Sequence, residues 1–165
     1  MKKRYAVAFT GPSNSGKTTL VEKIAKELIK NYKVAIIKND PKDKAHFDIE
    51  GKDSYKFSQT GAEVVVTSPT RTTYFSQREK TLDEIVGMID DFDYLLVEGL
   101  KTLPLPRIAI FRNTMEESYF ECSEAIAIDK SIDPASYPVP DEITMLNLNE
   151  TGEIISWIQK NAKEI

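Results

Sequence analysis

Gly11-Pro12-Ser13-Asn14-Ser15-Gly16-Lys17-Thr18 fits the pattern G-x-x-x-x-G-K-[ST], the signature of a backbone loop that wraps phosphate. Composition alone yields such a match in about one chain in 200, so the flanking sequence decides. Ahead of the loop, Tyr5-Ala6-Val7-Ala8-Phe9 is a wholly apolar run, as expected for a strand buried on both faces. Behind it, Leu20, Val21, Ile24, Ala25, Leu28 and Ile29 lay one apolar stripe along a helix predicted over residues 17–31. A strand, a glycine-rich turn and an amphipathic helix are the context the motif requires. Gly11 and Gly16 let the backbone turn its N–H groups inward, and the helix N-terminus adds its positive dipole end. Ser13, Asn14, Ser15 and Thr19 complete the nucleotide-binding set. Lys17 is placed to reach the β and γ phosphates, and the Thr18 hydroxyl to ligate Mg²⁺, an ion that prefers oxygen.

The remaining pattern extends this unit into a sheet. Val34-Ala35-Ile36-Ile37 is a second buried strand closing a β-α-β unit. Residues 38–52 are charged and carry Asn39-Asp40-Pro41 and Gly51, which predicts an exposed loop. Further on come a short helix over 53–60, strands over 63–67 and 71–75, and a helix opened by the capping-box tetrapeptide Thr81-Leu82-Asp83-Glu84. Strands over 94–97, 108–111 and 125–128 follow, and a last helix over 153–162 carries Ile154, Ile155, Trp157 and Ile158. Strands alternating with helices predict an α/β fold of the P-loop NTPase kind, with a mostly parallel sheet covered by helices on both faces. Its 165 residues are read as a single nucleotide-binding domain, 1–165, with residues 131–140 a proline-bearing surface loop.

A phosphate loop needs a carboxylate near its metal, supplied from the end of another buried strand. In Asp93-Tyr94-Leu95-Leu96-Val97-Glu98-Gly99 a carboxylate stands at each end of an apolar run. Glu98 follows the strand, at the edge where parallel sheets gather their ligands, and is taken with Lys17 as the catalytic pair. Asp40 also follows a buried strand; it is a candidate outer ligand of Mg²⁺ or a plain turn-forming Asp-Pro.

Charge and composition exclude other classes. Residues 1–82 hold 16 basic and 9 acidic side chains, a balance of +7, whereas residues 83–165 hold 6 and 17, a balance of −11. A pI near 5.2 argues against non-specific nucleic-acid binding, and the basic half is read as the holder of an anion. A lone cysteine, Cys122, rules out an intrachain disulfide and a cysteine-rich zinc site, and fits a reducing, cytoplasmic setting. Met1-Lys2-Lys3-Arg4 has the charge of a signal-peptide start, but the apolar run after it breaks at Thr10-Gly11-Pro12. No segment approaches the ~20 apolar residues that span a bilayer, so no membrane role is expected.

Several blocks together resemble the molybdopterin-guanine dinucleotide biosynthesis proteins B (MobB). They are the loop at 11–20, Val34-Ala35-Ile36-Ile37-Lys38, Gly51-Lys52-Asp53-Ser54-Tyr55 with Gly61-Ala62, Val97-Glu98-Gly99-Leu100-Lys101, and Pro106-Arg107-Ile108 through Phe111-Arg112. The resemblance covers about residues 5–130. It implies an accessory protein that binds GTP and Mg²⁺, typically a homodimer, with at most slow GTP hydrolysis. It further implies that the partners are the guanylyltransferase MobA, molybdopterin or its guanine dinucleotide, and apo-molybdoenzymes. Under it Gly11, Ser15, Gly16, Lys17, Thr18 and Thr19 serve the phosphate loop and Glu98 the metal, while Asp53, Lys101 and Arg112 match family blocks without an assigned role. The chain departs from the family pattern after the second strand. A His-rich K-H-x-H-H stretch is usual there, and this chain has Lys38-Asn39-Asp40-Pro41-Lys42-Asp43 with its sole histidine at His46.

A base-reading N-K-x-D motif is missing, and Asp129-Lys130 is the nearest candidate for contacting guanine. Two other readings stay open. One is a P-loop kinase or ligase acting on a small metabolite with ATP, its lid drawing on Arg71, Arg78 and Lys80. The other is a nucleotide-dependent scaffold without turnover.

Overall fold

A computed structural model of the chain describes residues 3–89 and 91–165, so Met1 and Lys2 of the basic start lie outside it. In chain order the elements are β1 (Tyr5–Thr10), α1 (Lys17–Leu28), β2 (Val34–Lys38), α2 (Asp53–Ser58), β3 (Val64–Thr67), β4 (Thr72–Phe75), α3 (Leu82–Met88), β5 (Tyr94–Glu98), β6 (Arg107–Phe111), β7 (Ala125–Ile128), β8 (Thr144–Asn147), α4 (Thr151–Asn161) and β9 (Lys163–Glu164). Two short 3₁₀ turns, Glu117–Cys122 and Pro134–Ser136, join the later strands. These elements gather into two compact units, Met1–Asn39 with Asp91–Ile165, and Asp40–Asp90.

The first unit is a seven-stranded sheet in the order β2-β5-β1-β6-β7-β8, parallel throughout except for β9, which runs antiparallel to β1. The mostly parallel P-loop NTPase sheet expected from the sequence is what forms. Largely apolar strands end up in its middle because both of their faces are covered: β5 and β6 are buried along their entire length. One face carries Val7, Phe9, Leu96, Ile108, Ile110, Ala125 and Ala127, packed on Leu20, Val21, Ile24 and Leu28 of α1 and on Ile154, Trp157 and Ile158 of α4. On the other face, Ala109, Phe111 and Ile126 pack against Met115, Tyr119 and Phe120 around the first 3₁₀ turn and against Ile132 and Ile143. β6 pairs with β1 only from Ala8 onward, and β9 fills the same edge below it, opposite Tyr5 and Ala6. Because β5 lies between β1 and β2, the chain leaving β1 crosses to the sheet edge while β6 lies on its other side. The turn after β1 therefore opens at the point where strand order reverses, where α/β sheets hold ligands.

In the second unit β3 and β4 pair with each other, Val64 opposite Phe75 and Thr67 opposite Thr72, as a separate antiparallel sheet. The connection explains this: Ser68 N donates to Arg71 O at 2.8 Å, a tight turn too short for the crossover that parallel strands need. α3 opens on the expected capping box, with Thr81 and Glu84 each accepting from the other's backbone N–H. Residues 39–52 form no helix or strand.

No helix among the described residues is long and apolar enough to cross a membrane.

Candidate functional site

The turn after β1 is built by residues in the left-handed region: Gly11 at φ 140°, Asn14 at φ 63° and Gly16 at φ 96°. Gly11 has a second constraint, since a Cβ there would come within 2.3 Å of the Ile110 carbonyl oxygen on β6. The loop is thus seated directly against the neighbouring strand. α1 begins at Lys17 with Gly16 as its N-cap, and no side chain caps it. Its first-turn N–H groups are left facing a cleft of about 320 Å³ lined by Asn14, Gly16, Lys17, Thr18, Thr19 and Arg112.

Lys17 lies across the loop and donates to Gly11 O at 2.9 Å and Pro12 O at 2.6 Å. Burial pulls its ammonium below the usual lysine pKa; the Glu98 carboxylate opposes this, and Lys38 and Lys101 add to it. Ser15 is buried, and its hydroxyl finds no partner among the described residues. A buried orphan hydroxyl, an uncapped helix start and a loop too tight for any Cβ at Gly11 all fit an oxyanion with several acceptor atoms.

Glu98 ends β5 in register with Phe9 of β1 and Lys38 of β2, and it is only 7% exposed. Thr18 Oγ1 stands 3.5 and 3.4 Å from its two carboxylate oxygens, and Lys38 Nζ donates to Oε1 at 2.7 Å. A hydroxyl facing a buried carboxylate beside the cleft at the start of α1 is an oxygen set of the kind that suits Mg²⁺. Among the described residues no three His, Cys, Asp or Glu side chains converge to hold a metal. The donor set therefore fits an ion that takes its remaining ligands from phosphate and water. Asp40 belongs to the other unit, where its Oδ2 accepts from Lys44 N and Ala45 N, each at 2.7 Å.

The residues with matching blocks but no assigned role divide in the same way. Arg112 lies over Gly16 and reaches Asp129 Oδ2 at 3.5 Å, joining the phosphate loop to the end of β7. Asp129 also accepts from Ser131, whose hydroxyl and backbone N–H hold its carboxyl below the usual range. Beside it a groove of about 320 Å³ opens at the ends of β7 and β8, lined by Ile128, Asp129, Lys130, Pro134, Met145 and Asn147. Lys101 stacks its ammonium 3.6 Å above the Tyr119 ring. Asp53 opens α2 in the second unit and meets Lys56 at 3.7 Å. There too, Arg78 is paired with Glu63 and Lys80 lies 5.6 Å over Tyr74. His46 is exposed, and Cys122 is half-buried with its thiol 3.4 Å from Tyr119 O.

Two further residues support the site from outside the sequence motif. Arg107, 1% exposed, donates from its guanidinium to Gly99 O, Leu100 O and Leu103 O at 3.0 to 3.1 Å. It holds the turn that follows Glu98, where Gly99 and Leu100 both have positive φ. An arginine at the head of an otherwise apolar strand was the available signal. Lys38, the second, touches Glu98 through a register that no local pattern reveals.

Comparison with known proteins adds the family. A model described as molybdopterin guanine dinucleotide synthesis protein B matches residues 6–130. The molybdopterin-guanine dinucleotide biosynthesis adapter protein of Haemophilus influenzae is 31% identical over 159 residues, 93% of this chain and 86% of that one. A putative adapter protein of the same description from Methanocaldococcus jannaschii is 33% identical over 113 residues, 65% of this chain and 47% of that one. The crystal structure of Bacillus subtilis MobB superposes with a TM-score of 0.73 at 21% identity, covering 93% of this chain and 98% of that one, a likeness of fold.

Proposed function

Since the chain belongs to the molybdopterin guanine dinucleotide synthesis protein B family, MobB, we propose that it is a GTP-binding adapter that assists attachment of GMP to molybdopterin. The observation that carries this is the meeting of an uncapped α1 start, Lys17 and the Thr18 hydroxyl with the buried Glu98 carboxylate. Backbone N–H groups from Ser13 to Thr19 cradle the polyphosphate. Lys17 leaves the Gly11 and Pro12 carbonyls for the β and γ oxygens, exchanging neutral acceptors for charged ones. Thr18 and Glu98 would hold Mg²⁺, which neutralises phosphate charge when bound.

Hydrolysis is slow at most in this reading, as the family resemblance implies. The partners are the guanylyltransferase that receives the guanine nucleotide, molybdopterin or its dinucleotide, apo-molybdoenzymes, and a second copy of the chain as homodimer. The setting is the cytoplasm.

Calorimetric competition among GTP, ATP and their diphosphates, with and without Mg²⁺, tests the assignment. Tighter binding of GTP, strengthened by Mg²⁺ and lost by at least about a hundredfold in Lys17→Ala, is the expected result. Preference for ATP, or unchanged affinity in Lys17→Ala, overturns it.

A further inference from the structure

Lys38 is the last residue of β2, the edge strand of the sheet, and faces Glu98 across the β2–β5 ladder. Its stem is long and its side chain 60% exposed, whereas the Glu98 side chain is 9% exposed. The pair is therefore unequal: the ammonium can swing into water at little cost, and the carboxylate cannot. A carboxylate so buried needs a cation. Within reach of its two oxygens the structure brings one ammonium at 2.7 Å and one hydroxyl, Thr18 Oγ1, at 3.4 and 3.5 Å.

The Thr18–Glu98 oxygens are the donor set that the preceding reading gives to Mg²⁺, and Lys38 sits on one of them. We propose that Lys38 and the divalent cation compete for Glu98, so that Lys38 acts as a built-in counterion that sets how strongly the metal and the nucleotide depend on each other. When the metal takes the carboxylate, the Lys38 ammonium is released at the mouth of the phosphate cleft. Lys38, Thr18 and Glu98 line one cleft, so the released charge stays close to where polyphosphate would lie. A purely structural ion pair would differ in one respect: it would leave metal coupling untouched.

This inference rests on the proposed nucleotide site, and the test separates the two. The affinity of a non-hydrolysable GTP analogue is measured with Mg²⁺ and with EDTA, and the ratio of the two dissociation constants gives the metal–nucleotide coupling. In Lys38→Met, which keeps an apolar stem, the ratio is expected to rise about tenfold, the factor that applies if Glu98 is free of Lys38 about one-tenth of the time. Lys38→Arg, which keeps a cation on Glu98, is expected to leave the ratio at or below the wild-type value. Melting in EDTA should be lower for Lys38→Met than for wild type, since Glu98 then lies buried without a counterion, and Mg²⁺ with the analogue should close that gap. An unchanged or smaller ratio in Lys38→Met overturns the competition, with the nucleotide site intact as long as wild type shows metal-dependent binding. Failure of wild type to bind the analogue at all overturns the site reading itself, and the competition with it.

Discussion

Lys17 is half-buried, tied to two carbonyl oxygens, and destabilised as a cation by its surroundings. Burial is the leading cause, so its pKa lies below the ordinary lysine value of 10.5. Phosphate binding needs the charged form and stabilises it. The sign follows: affinity is full while the lysine of the free protein is protonated and declines as pH rises through its lowered pKa, earlier than an unperturbed lysine would dictate. Below that pH no proton is taken up on binding; above it, uptake appears. Calorimetry in buffers of different ionisation enthalpy reads this uptake, and a flat affinity up to pH 10.5 would contradict it. At this scale the two loop glycines were legible because each has one physical use: Gly11 where a Cβ meets a carbonyl and Gly16 at positive φ. Arg107 was not legible, since its partners are backbone oxygens of a turn whose course the sequence does not reveal.

At the scale of elements, the sheet depends on α1 and α4 sharing one face, and Trp157 is the largest apolar side chain that α4 delivers there. Trp157→Ala is expected to cost about 3–5 kcal/mol, read as a fall in urea midpoint. An effect below about 1 kcal/mol would mean that α4 is peripheral. Strongly periodic elements such as α1, and apolar runs such as β5, appear where the sequence pattern put them, although α1 closes at Leu28, ahead of residue 31. β8 and β9 leave no pattern in the sequence for a common reason. β8 presents only Met145 and Leu146 between polar residues, and β9 is Lys163-Glu164, two exposed side chains whose pairing is made by backbone alone. The 3₁₀ turn over Glu117–Cys122 likewise shows no 3.6-residue repeat, and its buried Tyr119 and Phe120 are adjacent in sequence. Strand type was legible for β3 and β4, but their partner was not: only the brevity of the turn from Ser68 to Arg71 signals a hairpin apart from the main sheet.

For the whole molecule, folding rearranges the charge asymmetry seen along the sequence. Residues 1–39 carry nine basic and two acidic side chains, and residues 91–165 carry six and fourteen. These two stretches belong to one compact unit, whose balance is therefore close to neutral. Residues 40–90, with seven basic and ten acidic side chains, are mildly acidic. The basic excess of the first half thus lies against acids supplied by the end of the chain, and the cationic character of the site is local: Lys17, Lys38, Lys101 and Arg112. Long-range attraction of an anion should be correspondingly slight. Nucleotide association rates measured by stopped flow are expected to fall by less than about tenfold between low and high salt; a steeper fall would imply a field extending well beyond these four residues. The backbone pairing of β9 with the start of β1 has a mechanical consequence. Ile165 N donates to Arg4 O, next to the Tyr5–Glu164 pair, so the segment before β1 and the segment after β9 leave the sheet side by side at the same edge. Tension applied between them would load these bonds one after another, as in a zipper. The two ends would peel apart under small force while the strands around the phosphate loop still carried none.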